Sequence, residues 1–325
     1  QKNYSMSRAA SPPRTRGDIV VGSGPWKDAD MTASAETPPM IFRFRGRHWH
    51  CTGRTRIMGI VNATPDSFSD GGECLDPQIA ADRALAQFAA GAAVVDVGGE
   101  SSRPGATPVA VEEELARVVP VIRRIRELLP EAVLSVDTTK AAVAAAAVAA
   151  GADIINDISG LQADPELAAV AAATGAGLVL MHCRGTPQTM QQQLDYADLL
   201  GEIGDFLANA MARAEAAGVA REAIMLDPGI GFAKNADQNL AILAKIATLR
   251  KLGRPLLVGP SRKSFLGAML GGAPPRARVW GTAGAVAWLA GQGVDVVRVH
   301  DVRELAELLL VFDRLRKAAG EGAGR

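Results

Sequence analysis

Residues 133–151 read VLSVDTTKAAVAAAAVAAG, a short apolar run followed by a stretch rich in alanine. Short apolar runs such as VLSVD are typical of strands that are buried in a parallel sheet. Alanine has the highest helix propensity, and glycine commonly ends a helix, so residues 138–151 predict a helix that stops at Gly151. Together the two segments predict one strand followed by one helix.

The same order recurs along the chain. The other predicted strands are IMGIV (57–61), AVVDV (93–97), DIIND (153–157), GLVLM (177–181), IMLD (224–227), PLLVG (255–259) and DVVRV (295–299). Segments with helical spacing lie between them, for example residues 77–91 and 111–128. Eight such units favour a closed (β/α)8 TIM barrel, which usually needs about 250 residues. The alternative, a doubly wound open sheet, loses support because the chain lacks the glycine-rich motifs of nucleotide-binding sheets.

The ends of the chain differ from the barrel region. Residues 1–39 are rich in Ser, Pro, Thr, Gly and Arg, which predicts a disordered N-terminal extension. Residues 41–51, IFRFRGRHWHC, alternate apolar and polar side chains around Arg45 and Gly46, which predicts a β-hairpin. We therefore expect a single barrel domain over residues 40–320, with the hairpin closing its bottom.

Composition limits the function classes. The 325 residues include 35 Lys and Arg and 35 Asp and Glu, so no strong overall charge attracts nucleic acid or a lipid surface. The apolar runs are shorter than the roughly 18–20 residues of a membrane span. Three scattered cysteines form no CxxC pair, which favours a reducing, cytoplasmic location. We expect a small-molecule substrate.

Polar side chains stand where nearly every predicted strand ends, and the active sites of such barrels lie at that rim. Helix capping explains some Asp and Thr residues there, but it does not explain so many different polar types together. Carboxylates and an amide suit a heterocycle with ring N–H groups and an exocyclic amine. Cationic side chains suit an anion such as pyrophosphate. The first set is Asp137, Asn156 and Asp227, and the second is Arg103, Lys263, Arg298 and His300, joined by Asn62.

Eight ordered motifs resemble those of bacterial dihydropteroate synthases. They are GIVNATPDSFSDGG, DVGGESSRPGA, SVDTTK, INDISG, MHCRGTPQTMQ, LDPGIGFAKN, SRKSFLG and RVHDV. The family condenses 6-hydroxymethyl-7,8-dihydropterin pyrophosphate with p-aminobenzoate in folate biosynthesis. The resemblance implies a Mg²⁺-dependent TIM-barrel transferase, a homodimer and a sulfonamide target.

The resemblance also implies roles for individual residues. The pterin site would comprise Asp137, Asn156, Met181, Asp227 and Lys263. The pyrophosphate site would comprise Asn62, Arg103, Arg298 and His300, with Asn62 also near Mg²⁺. The aminobenzoate pocket would comprise Ser102, Arg103, Pro104, Gly231, Phe232, Lys263 and Ser264. The residues expected to act in catalysis are Lys263, Asp137, Asn62, Arg298 and His300, with Lys263 touching both substrates.

The loop after the first barrel strand would be a mobile flap. Asp66, Ser67 and Phe68 lie in it, and Gly71 and Gly72 are its predicted hinges. The family pattern is altered at four positions, Ser102, Arg184, Ile230 and Pro260, none of which removes a polar role named above.

Two other functions remain open: a pterin-binding methyltransferase on the same barrel, and a non-catalytic pterin-binding homologue. The first would not need the SRPGA and SRKS segments, and the second should have lost the charges of the rim.

Overall fold

The computed structural model describes residues 40–51, 54–64 and 76–322, with side chains to residue 319. The strands are β1 (Met40–Phe44), β2 (Arg47–Cys51), β3 (Arg56–Asn62), β4 (Val94–Gly98), β5 (Leu134–Asp137), β6 (Ile154–Asp157), β7 (Gly177–Met181), β8 (Ile224–Asp227), β9 (Leu257–Val258) and β10 (Val296–Val299). The helices are α1 (Pro77–Ala89), α2 (Val111–Leu128), α3 (Ala141–Ala150), α4 (Glu166–Thr174), α5 (Leu199–Ala216), α6 (Ala236–Ala244), α7 (Ser264–Met269), α8 (Val279–Gly291) and α9 (Val302–Gly322). The predicted disordered extension and the predicted flap lie outside the described residues.

Strands β3 to β10 form one parallel sheet in the order β8-β7-β6-β5-β4-β3-β10-β9. A parallel bridge between Leu226 and Leu256 joins the two outer strands, so the sheet closes. This closure confirms the predicted barrel and excludes the open sheet. Strand β9 is shorter than the predicted 255–259, because Pro255 has no N–H to donate and contributes only its carbonyl, to Leu226 N at 2.9 Å.

The helices cover the outside of the barrel with small and branched apolar side chains. In α3 the buried face is Val143, Ala144, Ala147 and Val148, a spacing that matches one side of a helix. Gly151 ends this helix with a φ of +122°, as the sequence predicts. Among the described helices, none is both long enough and apolar enough to cross a membrane.

The hairpin β1–β2 fills the N-terminal end of the barrel, as predicted. Its turn is Arg45 and Gly46, both with positive φ. Phe42 and Phe44 are buried in one cluster with residues of the barrel strands, including Met58 and Val179. The chemistry must therefore use the opposite end, where the carboxyl ends of the strands carry the polar residues.

We predict that Gly177→Ala destabilises the barrel. A Cβ at this position of β7 would lie 2.6 Å from Phe42 Cζ and 3.1 Å from Phe44 Cβ, so the closing hairpin would have to shift. Such overpacking costs about 1–3 kcal/mol, which urea unfolding measures. The control is Gly284→Ala on the exposed side of α8, where no atom lies within 4 Å of the added Cβ. Equal stability of the two variants would contradict the close packing of the hairpin.

Candidate active site

A buried ion network occupies the barrel interior at the carboxyl end of the strands. Arg298 of β10 donates from Nε to Asp96 Oδ2 and from Nη2 to Asp137 Oδ2, both at 2.7 Å. Asn156 of β6 donates from Nδ2 to the same Asp96 oxygen at 2.9 Å. Four strands therefore meet through one guanidinium, two carboxylates and one amide. The second oxygen of Asp96 is buried and has no hydrogen-bond partner among the described residues.

Burial changes the protonation of the carboxyl groups. Desolvation raises the pKa of Asp137 to about 7, against the lowering effect of Arg298, and Asp96 adds to the rise. Desolvation also raises the pKa of Asp227 to about 6, although Gly229 N donates to Asp227 Oδ1 at 2.7 Å. Each carboxylate thus lacks part of the stabilisation that water would supply. A ligand that offers N–H donors can provide it.

Lys263 stands beside these carboxyl groups at the N-cap of α7. Its Nζ lies 4.1 Å from the centroid of the Phe232 ring, a cation–π distance. Desolvation lowers the pKa of Lys263 to about 8, Arg298 adds to this effect, and Asp227 and Asp137 oppose it. A side chain at Gly231 would place Cβ 2.8 Å from Lys263 Cδ, so the glycine leaves room for the lysine.

The end of β10 and the loop after β9 supply further polar groups. His300 Nδ1 lies 3.0 Å from Ser261 Oγ, and desolvation together with Arg262 and Arg298 lowers the pKa of His300 to about 3. The imidazole is therefore neutral near pH 7. Arg262 forms two hydrogen bonds with Asp301. Asp301 thus pairs with Arg262, and Arg298 pairs with Asp96 and Asp137.

The loop after β4 is held at its base and at its tip. Lys140 forms ion pairs with Glu100 at the start of the loop and with Glu114 of α2. At the tip, Gly105 N donates to Pro187 O at 2.9 Å, which joins this loop to the loop after β7. The segment between these contacts can therefore face the barrel mouth.

Known proteins resemble the chain over the whole barrel. The sequence profile of a family described as "Pterin binding enzyme" matches residues 58–300. A dihydropteroate synthase from Synechocystis is 50% identical over 262 residues, which cover 81% of this chain and 90% of that protein. The enzyme from Escherichia coli K12 is 44% identical over 257 residues, covering 79% of this chain and 90% of that one.

Solved structures agree with these relatives. Yersinia pestis dihydropteroate synthase with a sulfonamide drug has a TM-score of 0.80 and 43% identity, over 86% of this chain and 100% of that chain. The Xanthomonas albilineans enzyme in complex with 7,8-dihydropteroate has a TM-score of 0.75 and 38% identity, over 84% of this chain and 98% of that chain. The chain belongs to the dihydropteroate synthase family.

The structure brings together most of the residues that the family resemblance selects for the pterin. Asp137 ends β5, Asp227 ends β8, and Asn156 lies one residue before the end of β6, all within one run of four adjacent strands. Met181 ends β7 and is buried in a cluster with Phe232. Lys263 contacts Phe232 and Gly231 across the mouth. The polar ends of these strands thus lie beside an apolar cluster that contains Met181 and Phe232.

Other residues expected of a dihydropteroate synthase lie nearer the surface. Ser102 is half-buried, and Arg103, Pro104 and Ser264 are exposed. Among the described residues, no hydrogen bond or ion pair joins Ser102, Arg103 or Pro104 to Lys263. Their aminobenzoate and pyrophosphate roles stay predictions.

The flap residues of the family pattern are not described. Asp66, Ser67, Phe68, Gly71 and Gly72 lie outside the described residues, and so their predicted roles stay untested.

Asn62 is the residue that family resemblance places near Mg²⁺. It ends β3 opposite Gly98 and is half-buried. Within residues 40–51, 54–64 and 76–319, no three His, Cys, Asp or Glu side chains form a metal cage. Mg²⁺ in phosphate-transfer sites commonly takes one or two protein oxygens and completes its shell with phosphate oxygens and water. One amide oxygen at the rim fits that mode of binding.

Sequence reasoning missed Asp96, the residue at the centre of the dihydropteroate synthase ion network. A signal was present, because AVVDV places a carboxylate inside an otherwise apolar strand. A buried charge needs a partner, and the partner here is Arg298. Arg184, an unusual residue for the family, has a local role: its guanidinium lies 3.8 Å from the Tyr196 ring and pairs with Glu202.

We predict that Asp227→Asn flattens the pH dependence of stability. The native carboxyl group binds its proton more tightly than the unfolded one, so it favours the folded state below pH 4. This contribution is lost as the pH rises from about 4 through about 6. Urea unfolding from pH 4 to pH 7.5 should therefore show a smaller decline in the variant than in the wild type. Asp205→Asn, at an exposed position of α5, is the control. If Asp227→Asn lost as much free energy of unfolding between pH 4 and pH 7.5 as the wild type does, the prediction would be wrong.

Proposed function

We propose that the chain is a dihydropteroate synthase that condenses 6-hydroxymethyl-7,8-dihydropterin pyrophosphate with p-aminobenzoate. The products are 7,8-dihydropteroate and pyrophosphate. The observation that carries this proposal is the group of Asp137, Asn156, Asp227 and Lys263 at the carboxyl ends of the strands, where both carboxyl groups are desolvated. Ring N–H groups and an exocyclic amine of a pterin supply the donors that these carboxyl groups lack.

The pterin is oriented by Asp137, Asn156, Asp227 and Lys263. Asn156 commits its NH2 group to Asp96, which leaves its oxygen to accept from a ligand N–H. Met181 supplies an apolar surface for the ring. These contacts place the pterin methylene towards the cationic side of the mouth.

The pyrophosphate leaves by a dissociative substitution. The C–O bond at the methylene breaks, the electron pair stays with pyrophosphate, and the dihydropterin delocalises the positive charge. Arg298, His300, Arg103 and Asn62 would contact the leaving group, and such a set of donors would stabilise its growing negative charge. Mg²⁺, bound through Asn62 and phosphate oxygens, would add Lewis-acid stabilisation.

The arylamine then attacks the cationic methylene through its nitrogen lone pair, and the ammonium that forms loses its proton to water. Its nitrogen is unprotonated near pH 7, so no strong general base is required. Phe232 and Gly231 form one wall of its pocket, and Ser102, Pro104 and Ser264 close the other side. Sulfonamides, which resemble the arylamine, compete for this pocket.

Calorimetry tests the substrate assignment. The proposal predicts that p-aminobenzoate binds only when the pterin and pyrophosphate occupy the site, because together they complete its pocket. A methyltransferase would ignore p-aminobenzoate under all these conditions. A non-catalytic homologue would bind the pterin and form no dihydropteroate, so product analysis of the same mixture separates it from the synthase.

Lys263→Ala should abolish most of the activity and leave the fold intact. The lysine stands at the N-cap of a six-residue helix and makes no described salt bridge, so its loss removes ligand contacts more than structural ones. We expect kcat/KM to fall by about 100-fold or more, since a charged hydrogen-bond donor contributes about 1.5–3 kcal/mol and Lys263 contacts both substrates. Lys251→Ala on the exterior is the control. Wild-type turnover by Lys263→Ala would refute the role of the lysine.

The homodimer also belongs to the proposal. Large apolar side chains are exposed at the end of α7 and on α8 and α9: Met269, Leu270, Trp280, Trp288, Val311 and Leu315. A contiguous interface would remove such side chains from water. Trp280, 77% exposed, is the residue to change: sedimentation should show a dimer for the wild type and dissociation for Trp280→Glu. A wild-type monomer at micromolar concentration would count against the dimer.

A further inference from the structure

Lys234 is a buried ammonium outside the set of residues assigned to the substrates. It lies in the loop between β8 and α6, and only 3% of its surface is exposed. Its Nζ lies 2.9 Å from His182 Nδ1, 3.0 Å from Gly229 O and 2.9 Å from Phe232 O. A lysine ammonium has three N–H donors and no acceptor. The three neighbours therefore use all of its hydrogen-bonding capacity.

The positions of the acceptors give Lys234 a geometric effect. Gly229 and Phe232 enclose the two residues Ile230 and Gly231, so binding both carbonyls fixes that turn. Phe232 is the residue whose ring lies under Lys263, and Gly231 is the residue that leaves room for it. The contact with His182 joins the turn to the end of β7.

The hydrogen bonds from Lys234 stabilise a turn in which three residues have positive φ angles. Gly229, Gly231 and Ala233 have φ values of +71°, +83° and +49°. Glycine adopts this region freely, but alanine is disfavoured in it because its Cβ approaches the following carbonyl oxygen. Further bonds act on the same turn: Gly231 N donates to Asn239 Oδ1 at 2.7 Å, and Tyr196 OH donates to Ala233 O at 2.9 Å.

Packing alone does not account for a lysine here. No ion pair joins the Lys234 ammonium to a carboxylate in the described part of the chain, and a buried charge without such a partner is costly. A methionine of similar length would fill the same space without that cost. Desolvation accordingly lowers the pKa of Lys234 to about 7, although Asp227 opposes the effect. The amine is explained by the three acceptors that it holds together.

We propose that Lys234 is a positioning residue for the arylamine subsite: by binding Gly229 O, Phe232 O and His182 Nδ1, it sets Gly231 and Phe232 against Lys263. This role rests on the function proposed above. Lys234 does not touch the substrates, and so its loss should affect the arylamine subsite and spare the pterin contacts on β5, β6 and β8.

Lys234→Met tests the role through substrate affinities. We expect KM for p-aminobenzoate to rise about 10-fold or more, because hydrogen bonds from a charged donor are lost. The Kd for the dihydropterin pyrophosphate, measured by calorimetry, should stay within about twofold of the wild type. Lys251→Met, on the exposed helical turn at Ile246–Leu252, is the matched control and should change neither value. Equal weakening of both substrates would show a general structural role and overturn the proposal.

Two measurements need no activity, so they separate failure of this role from failure of the synthase assignment. In wild-type protein labelled with ¹⁵N-histidine and held at pH 6, below the pKa of Lys234, His182 Nδ1 should be unprotonated, since it accepts from the Lys234 ammonium. A proton on Nδ1 would overturn the proposal without any variant.

In Lys234→Met, hydrogen exchange of the Gly229 and Gly231 amides should accelerate about 10-fold or more while amides of β7 and α5 keep their protection. Unchanged exchange in a folded variant would also overturn it. If Lys234→Met fails to fold, the same measurements can be made on Lys234→Gln, whose side-chain amide group retains a hydrogen-bond donor.

Discussion

The guanidinium of Arg298, held between Asp96 and Asp137, is the interaction on which the site depends. It joins β10 to β4 and β5, and Asp96 extends the link to Asn156 on β6. Removing one partner of a buried ion pair leaves an uncompensated charge and costs about 3–5 kcal/mol. The barrel supports this arrangement because its closed sheet brings the carboxyl ends of distant strands to one mouth. The ion network therefore links strands of the barrel, and the closed barrel brings the charged residues of the network together.

Burial of this network and its neighbours leaves ionisable groups that bound substrates can stabilise. Desolvation leaves Asp137 and Asp227 with raised pKa values, while Lys263 has a lowered one. In the proposed complex, donors on the pterin and negative charge on pyrophosphate would satisfy these groups. The mouth thus favours a ligand that carries N–H donors at one end and an anion at the other, as the pterin pyrophosphate does.

Sequence reasoning predicted the architecture because strand and helix signals recur with little interruption. It predicted Asp137, Asn156 and Asp227 at the mouth because the ends of parallel strands must meet there. Asp96 and Lys234 escaped it, since their importance comes from partners that only the fold selects. A carboxylate within AVVDV and a lysine after GFA are visible in the chain, but neither sequence says which atoms it will meet.

The release of pyrophosphate, followed with dihydropterin pyrophosphate, p-aminobenzoate and Mg²⁺, tests the central claim most directly. We predict that pyrophosphate is released only when the arylamine is present, and that one 7,8-dihydropteroate forms for each pyrophosphate. Tight binding of the pterin with no release of pyrophosphate would contradict it. The carboxylates, the amide and Lys263 would then form a pterin-binding site without catalysis.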